Sequence, residues 1–240
     1  MQADKVEIWW MRMDAVAFDD WQRLEALLDD DDHQRLARFN HVQGRQTYVA
    51  AHALARALLS SWQRRPPEDW RFVIDGRGKP EVVVPAGAPR LRLNLSHTNG
   101  LVAAALCLDH DVGIDVEDLG RKADCLALGK RFFAPSECAL LQAVPPQRLT
   151  ETFLSLWTLK EAYVKAIGKG LAQALDRFAF TLEPPAITFA QAMDDDAAHW
   201  LFHQERVGDD HVLALALHHP HPQQVAMSWR AVTPADLAVT

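Results

Sequence analysis

The stretch that decides the fold is residues 91–117, LRLNLSHTNGLVAAALCLDHDVGIDVE. Its first part, Leu91–Leu95, alternates apolar and polar residues, and Leu101–Leu108 is a continuous apolar run. A third apolar pattern follows at Val112–Val116 after a short charged turn. Short apolar runs bounded by turn residues are typical of strands. Their close spacing, with Asn-Gly or charged turns between them, predicts antiparallel neighbours.

Helical patterns lie on both sides of these strands. Between residues 43 and 62, large side chains recur every three or four positions, and a second such helix runs from about Leu149 to Ile167. A shorter pattern at Trp21–Leu28 is expected to end at the acidic cluster Asp29–Asp32. Further strands are predicted at Val6–Met11 and in the region after residue 178. Together the patterns predict an α+β fold.

The composition argues against several classes of protein. The chain has 240 residues, a net charge of −7 and three cysteines, which show no metal-ligand spacing. An acidic chain is not expected to be a general nucleic-acid binder, and its apolar runs are too short to cross a membrane. Since the first residues show no signal-peptide pattern, we expect a cytoplasmic protein.

Two acids at the end of the opening stretch are the first candidates for chemistry. Residues two apart in a strand point to the same side, so Asp115 and Glu117 share one face while Ile114 and Val116 share the other. Adjacent carboxylates repel each other, and a hard divalent cation such as Mg²⁺ is the usual reason to hold them together. The alternative is a solvated acidic face on an edge strand.

A second candidate group lies on the long helix, in FLSLWTLKEAYVKAIGKG at residues 153–170. Glu161 and Lys165 are four residues apart and therefore adjacent on the helix surface. With Lys160 and Lys169 nearby, they suit a phosphate chain with a bound metal, since lysines supply positive charge and the glutamate a ligand or a base. An ordinary ion pair that stabilises the helix is the alternative.

Weaker candidates lie in the first half of the chain. Ser96 and His97, in NLSHTN, can both donate hydrogen bonds to a phosphate, and a turn-stabilising serine beside a surface histidine is equally compatible. Lys79 stands in the turn GRGKP, and Arg38 and Arg45 flank the start of the first long helix. The order of all these segments along the chain is more informative than any one of them.

In that order the segments resemble the Sfp-type 4′-phosphopantetheinyl transferases. GIDVE at 113–117 matches the family's Gly-[Ile/Val]-Asp-[Ile/Val]-Glu motif, and WTLKEAYVKAIGKGL at 157–171 matches its Trp-x-x-Lys-Glu-[Ala/Ser]-x-x-Lys motif. GKP and NLSHT stand where the family has its Gly-Lys-Pro and Ser-His segments, and RFFAPSE at 131–137 resembles the element between the acidic motifs. The resemblance extends from about Arg38 to Leu182.

The resemblance implies an enzyme that moves the 4′-phosphopantetheine arm of coenzyme A to a serine of an apo acyl or peptidyl carrier protein, releasing adenosine 3′,5′-bisphosphate. It implies two similar α/β halves in one chain, residues 1–110 and 111–240, which form a pseudo-dimer with the active site in the cleft between them. The implied partners are coenzyme A and the carrier protein, without nucleic acid or membrane, and the implied state is a monomer.

The resemblance also implies a role for each candidate residue. Three acids would hold Mg²⁺, with oxygen atoms from both halves converging on the ion, and they are Asp115, Glu117 and Glu161. The coenzyme would be bound by a set of polar and cationic side chains, namely Arg38, Arg45, Lys79, Ser96, His97, Lys160 and Lys165. The base that takes the serine proton would be Glu161, with Glu137 as the alternative.

Two other functions remain compatible with these residues. A Mg²⁺-dependent nucleotide pyrophosphohydrolase also needs clustered carboxylates and lysines, although only Glu161 lies in the motif helix here. A module that binds coenzyme A or a carrier protein without chemistry is the other alternative, and three predicted metal ligands argue against it.

Overall fold

The structure, a computed structural model, describes residues 4–74, 76, 80–168, 173–190 and 195–237. It divides the chain into two units, one formed by Met1–Asp109 with Val225–Thr240 and the other by His110–Gln224. Among the described residues, no helix combines the length and apolar character needed to cross a membrane.

The first unit packs a long helix against one face of a mixed sheet. Its helices are α1 (Asp20–Glu25), α2 (Asp30–Leu36) and α3 (Val42–Trp62). Its strands are β1 (Lys5–Arg12), β2 (Phe72–Ile74), β3 (Pro80–Val82), β4 (Leu91–Thr98), β5 (Leu101–Leu108) and, from the last part of the chain, β11 (Ala226–Ala231).

The sheet of the first unit has the strand order β11-β1-β5-β4. β4 and β5 form the antiparallel pair that the Asn-Gly turn predicts, and Gly100 in that turn has a positive φ of 82°. Val102, Ala104 and Leu106 of β5 belong to the same buried core as the apolar face of α3. This packing is the helix-on-sheet arrangement expected of an α+β fold.

The structure differs from the expected halves at the end of the chain. β11 pairs in parallel with β1, with Ile8 opposite Trp229. This strand therefore lies in the first unit, whereas the predicted boundaries 1–110 and 111–240 assign it to the second half. A parallel partner so distant in sequence leaves no local pattern by which to recognise it.

The acidic cluster Asp29–Asp32 also has a different role from the one predicted. It starts α2, whereas the preceding helix already ends at Glu25 and not at this cluster. The Asp29 carboxylate accepts a hydrogen bond from the backbone N–H of Asp32 at 2.9 Å, which caps the first turn.

In the described part of the second unit, three α-helices accompany a small antiparallel sheet. The helices are α4 (Cys125–Phe132), α5 (Pro135–Ala143) and α6 (Pro146–Ile167). The strands are β6 (Val112–Asp118), β7 (Phe178–Leu182), β8 (Pro185–Phe189), β9 (Trp200–Val207) and β10 (His211–His218).

The sheet of the second unit has the order β6-β10-β9, and β7 pairs separately with β8. β6 thus pairs with β10 and not with β5, although β5 precedes it closely in sequence. Val212, Ala214 and Ala216 of β10 share a buried core with the apolar face of α6. The predicted α+β class is confirmed, and the pseudo-dimer relation between the halves stays a prediction.

Candidate active site

The acid pair of the sequence motif lies on the face of β6 that packs against α6. Gly113 faces this helix, because a Cβ built on it would point at the helix backbone. Asp115 and Glu117 follow at intervals of two and so lie on the same face. Their exposed fractions are only 7% and 9%. The alternative of a solvated acidic face is therefore wrong.

Gly113 determines how closely the strand and the helix approach. A Cβ on this residue would stand 1.9 Å from the carbonyl oxygen of Ala162 and 2.6 Å from the backbone nitrogen of Ala166. Only glycine allows backbones to come this near. The close approach brings Glu161 and Lys165, which neighbour those two alanines on α6, within interaction distance of the acids on β6.

Asp115 and Glu117 are each paired with a cation. The Lys165 ammonium donates to Asp115 Oδ1 at 2.6 Å and to the carbonyl oxygen of Ile114 at 3.0 Å. Arg121 follows β6 after a short turn, and its guanidinium donates to Glu117 Oε1. Arg121 is not among the residues predicted from the sequence. The sequence pattern that could have indicated Arg121 is a positive charge four positions after the acid Glu117.

The charge of Asp115 influences the ionisation of the other two acids. Burial raises the pKa of Glu117 to about 6, while the Arg121 guanidinium opposes this rise and the charge of Asp115 adds to it. Burial also raises the pKa of Glu161, with Asp115 adding and Lys165 opposing. Within the described part of the chain, Glu161 has no hydrogen bond or ion pair of its own. The site therefore concentrates negative charge that a further cation would relieve.

The donor set suits a hard metal ion, but the side chains are not arranged around one. Among the described residues, no group of three or more His, Cys, Asp or Glu side chains has the geometry to hold a metal. Instead, two of the carboxylates turn to Lys165 and Arg121. Carboxylate oxygens are the ligands that Mg²⁺ prefers, so the residues fit this ion by their chemistry.

All three acids lie in the second unit, on β6 and α6. The expectation that oxygen atoms from both halves converge on the ion is therefore wrong for Asp115, Glu117 and Glu161. The reason is that the motif helix and the motif strand pack against each other within one unit.

Lys160 lies in the core of the second unit and not at the acid site. Its side chain is fully buried and donates to Glu137 Oε2 at 2.8 Å and to the carbonyl oxygens of Leu175 and Phe178 at 2.7 Å each. Burial lowers the pKa of Lys160, and the Glu137 carboxylate opposes that shift. Because all three N–H donors of the ammonium are used, the predicted contact with the coenzyme is corrected to a structural role.

Glu137 is the partner of Lys160 and is equally inaccessible, with 1% of its surface exposed. Its Oε2 accepts from the backbone N–H of Ala134 and its Oε1 from that of Phe180, both at 2.9 Å. The carboxylate thus caps the first turn of α5 and accepts a hydrogen bond from a backbone N–H of β7. The prediction of Glu137 as an alternative catalytic base is corrected for this reason.

Ser96 and His97 are neighbours on β4 of the first unit. Because adjacent strand residues point to opposite faces, their surroundings differ: Ser96 is buried with 5% exposed, and His97 is exposed. Of these two residues, His97 is therefore the one whose side chain lies at the surface of this unit.

The predicted cations of the first unit have different surroundings. Arg45, in the first turn of α3, forms an ion pair of 2.6 Å with Glu25. Arg38 is exposed just after α2. Lys79 lies outside the described residues. Any anion that binds Arg45 would have to compete with the Glu25 carboxylate.

A buried charge network that the sequence does not reveal borders a pocket of about 320 Å³ in the first unit. The Arg56 guanidinium forms ion pairs with Asp29 at 2.7 Å and with Asp32 at 2.6 Å. Although burial acts in the opposite direction, hydrogen bonds from His52 and Tyr48 hold the pKa of Asp32 well below its ordinary value. Tyr48, His52 and Arg56 recur every four residues on α3, but the two acids that they contact lie at the start of α2, and no sequence pattern links the two segments.

Relatives of the chain match most of its length. The model of the 4′-phosphopantetheinyl transferase superfamily matches residues 111–216, which contain the three acids. The 4′-phosphopantetheinyl transferase HetI of Nostoc sp. is 32% identical over 203 residues, which cover 81% of this chain and 85% of HetI. The 4′-phosphopantetheinyl transferase Sfp of Bacillus subtilis is 27% identical, covering 86% of this chain and 89% of Sfp.

Solved structures match a smaller part of the chain. The holo-[acyl-carrier-protein] synthase of Thermotoga maritima is 25% identical over 45% of this chain and 62% of its own, with a TM-score of 0.36.

Proposed function

Because this chain belongs to the 4′-phosphopantetheinyl transferase superfamily, we propose that it transfers the 4′-phosphopantetheine arm of coenzyme A to a serine of an apo carrier protein. The other product is adenosine 3′,5′-bisphosphate. One observation carries the proposal: the matched region holds three acids and a lysine, brought together by the contact of β6 with α6.

The reaction makes two demands on a protein. The serine hydroxyl attacks the phosphorus that bears the pantetheine arm, and the bond from this phosphorus to the bridging oxygen of the diphosphate breaks. The charge of the diphosphate must be neutralised and the serine proton must be taken up. Mg²⁺, held by Asp115, Glu117 and Glu161, would supply the neutralising charge.

Lys165 meets part of the first demand. Its ammonium is fixed by Asp115 and the Ile114 carbonyl, and 28% of its side chain is exposed. A lysine held in this way presents a fixed positive charge, which suits the binding of a diphosphate oxygen.

Glu161 is the proposed base for the second demand. A carboxylate with an ordinary pKa is a poor base for serine, and burial raises the pKa of Glu161. Its carboxylate also makes no competing hydrogen bond within the described part of the chain. Glu137, in contrast, has both oxygens occupied by donors.

The coenzyme's remaining phosphates are proposed to bind side chains of the first unit. His97 and Arg38 are exposed there, and Arg45 becomes available if it leaves Glu25. Lys79 and Ser96 complete the proposed set. Loss of any one of these cations should raise the KM for coenzyme A more than it lowers kcat, because they touch the part of the substrate that does not react.

The physiological state of the protein is also part of the proposal. We expect a monomer in the cytoplasm whose partner is an apo acyl or peptidyl carrier protein, with no nucleic acid and no membrane involved. Oligomeric state is measured directly by sedimentation of the purified chain, and a stable dimer would contradict this part of the proposal.

The activity is tested by incubating an apo carrier protein with coenzyme A, Mg²⁺ and this protein, followed by intact-mass measurement of the carrier. A gain of one phosphopantetheine mass supports the proposal. Release of nucleotide without an adduct would indicate a pyrophosphohydrolase, and coenzyme binding with neither product would indicate a binding module. A carrier with its serine replaced by alanine is the matched control.

A further inference from the structure

Arg121 is held over Glu117 by the turn that follows β6. The Asp118 carboxylate accepts from the backbone N–H of Gly120 at 2.7 Å, and the Asp118 carbonyl accepts from the N–H of Arg121 at 3.0 Å. This turn brings the guanidinium back onto the buried Glu117 carboxylate. The arginine itself stays accessible, with 45% of its side chain exposed.

The two cations of the acid site are held differently. Lys165 stands on a long helix and donates to two acceptors. Arg121 stands after a surface turn, and among the described residues its one carboxylate partner is Glu117. An exposed guanidinium on a turn can move into water with little loss of packing, so of the two cations Arg121 is the one that leaves more easily.

We propose that Arg121 is a competing cation that sets the metal affinity of the acid site. It neutralises Glu117 in the metal-free protein, and it has to give up this carboxylate when a divalent ion binds. The inference rests on the proposed role of Asp115, Glu117 and Glu161 as metal ligands. It explains why these acids are close together and yet not arranged around an ion.

The expected change in metal affinity follows from the free energy of the ion pair between Arg121 and Glu117. Since one partner is exposed, breaking the pair should change the affinity by about two- to fivefold, the range typical of exposed ion pairs. Removal of the competitor should therefore lower the Kd of the metal by this factor. Added salt should reduce the difference, because salt screens the exposed guanidinium.

The test uses Mn²⁺ alone as the probe, bound to the full chain without coenzyme and followed by the electron paramagnetic resonance of the free ion. Mn²⁺ accepts the same oxygen ligands as Mg²⁺. Arg121→Gln removes the charge, and Arg121→Lys restores it. Arg148→Gln is the matched control, because it removes one positive charge from an exposed position of the same unit.

The expected result is a Kd about two- to fivefold lower for Arg121→Gln, with Arg121→Lys and Arg148→Gln close to the unaltered protein. An unchanged or higher Kd for Arg121→Gln would overturn the inference and leave the proposed function standing. Equal tightening by Arg148→Gln would also overturn it, since net charge alone would then explain the effect. If the unaltered protein and every variant fail to bind Mn²⁺, both the inference and the metal assignment fall.

Discussion

Replacement of Gly113 by alanine is the most direct test of how the acid site is built. The added Cβ would stand 1.9 Å from the Ala162 carbonyl oxygen and 2.6 Å from the Ala166 nitrogen. Both are backbone atoms of α6, so no side-chain rotation relieves the overlap. The helix and the strand must separate.

The magnitude can be worked from the contact distance. A carbon and a carbonyl oxygen approach to about 3.3 Å in close contacts, so the helix must retreat locally by about 1.4 Å. Overpacking in which side chains adjust costs about 1–3 kcal/mol, and a backbone clash should lie at or above the upper end. For a chain of this length, about 3 kcal/mol corresponds to a fall in Tm of about 6–12 °C.

The same displacement should affect activity. Lys165 is the neighbour of Ala166 on α6, so a retreat of this size moves its ammonium away from Asp115 and from the diphosphate. A misplacement of about 1 Å can lower the rate about a hundredfold. We therefore expect Gly113→Ala to lose at least this factor in kcat, measured at a temperature where it remains folded.

The assays are thermal unfolding followed by circular dichroism and transfer followed by carrier mass. Gly76→Ala is the control for stability, because a Cβ at Gly76 has no neighbour within 4 Å among the residues that the structure describes. If Gly113→Ala keeps its Tm within about 2 °C of the unaltered protein and retains full activity, the close approach of β6 and α6 is not what organises the site.

Three further outcomes are expected. Asp115→Ala and Glu161→Ala should each abolish transfer, and near-normal transfer would refute the metal assignment. Glu161→Ala should leave Tm unchanged or higher, because it removes a buried charge that neighbouring carboxylates repel, whereas Asp115→Ala should lower Tm, because it breaks the ion pair with Lys165. Lys160→Met should destabilise the fold by about 3–5 kcal/mol in denaturant unfolding, because it leaves the buried Glu137 charge uncompensated, and adding Glu137→Gln should recover part of that loss. In the metal-free protein the raised pKa of Glu117 gives stability that is fully present below about pH 4.5 and is lost as the pH rises through about 6. The affinity for Mn²⁺ should rise over the same pH interval. Glu117→Gln should flatten the dependence of Tm on pH.

The acid site could be predicted from the sequence in outline. The alternation of a strand is enough to put Asp115 and Glu117 on one face. Their burial could not be predicted, because it arises from the packing of α6 on that face. In retrospect Gly113 carries the signal: it stands two residues before Asp115, on the same face, where a larger residue would keep the helix away.

The two lysines of the motif helix show that a motif does not predict which side chain reaches the site and which is buried. Lys160 and Lys165 are both motif positions, yet Lys165 reaches the acids of β6 while Lys160 enters the core. A lysine in the core is rare and requires full satisfaction of its donors. Here the satisfying groups come from segments distant in sequence, the carboxylate of Glu137 and the carbonyls of Leu175 and Phe178. No local pattern marks such a partnership.

The parallel pairing of β11 with β1 has a consequence for how the protein is made. A ribosome synthesises β1 early and β11 only after the whole of residues 110–224. The sheet of the first unit therefore lacks one edge strand until residues 110–224 have been synthesised, and the open flank of β1 is exposed to misassociation in the meantime. The second unit, whose residues are contiguous, can fold first. The first unit, whose synthesis begins earlier, is therefore the last to be completed.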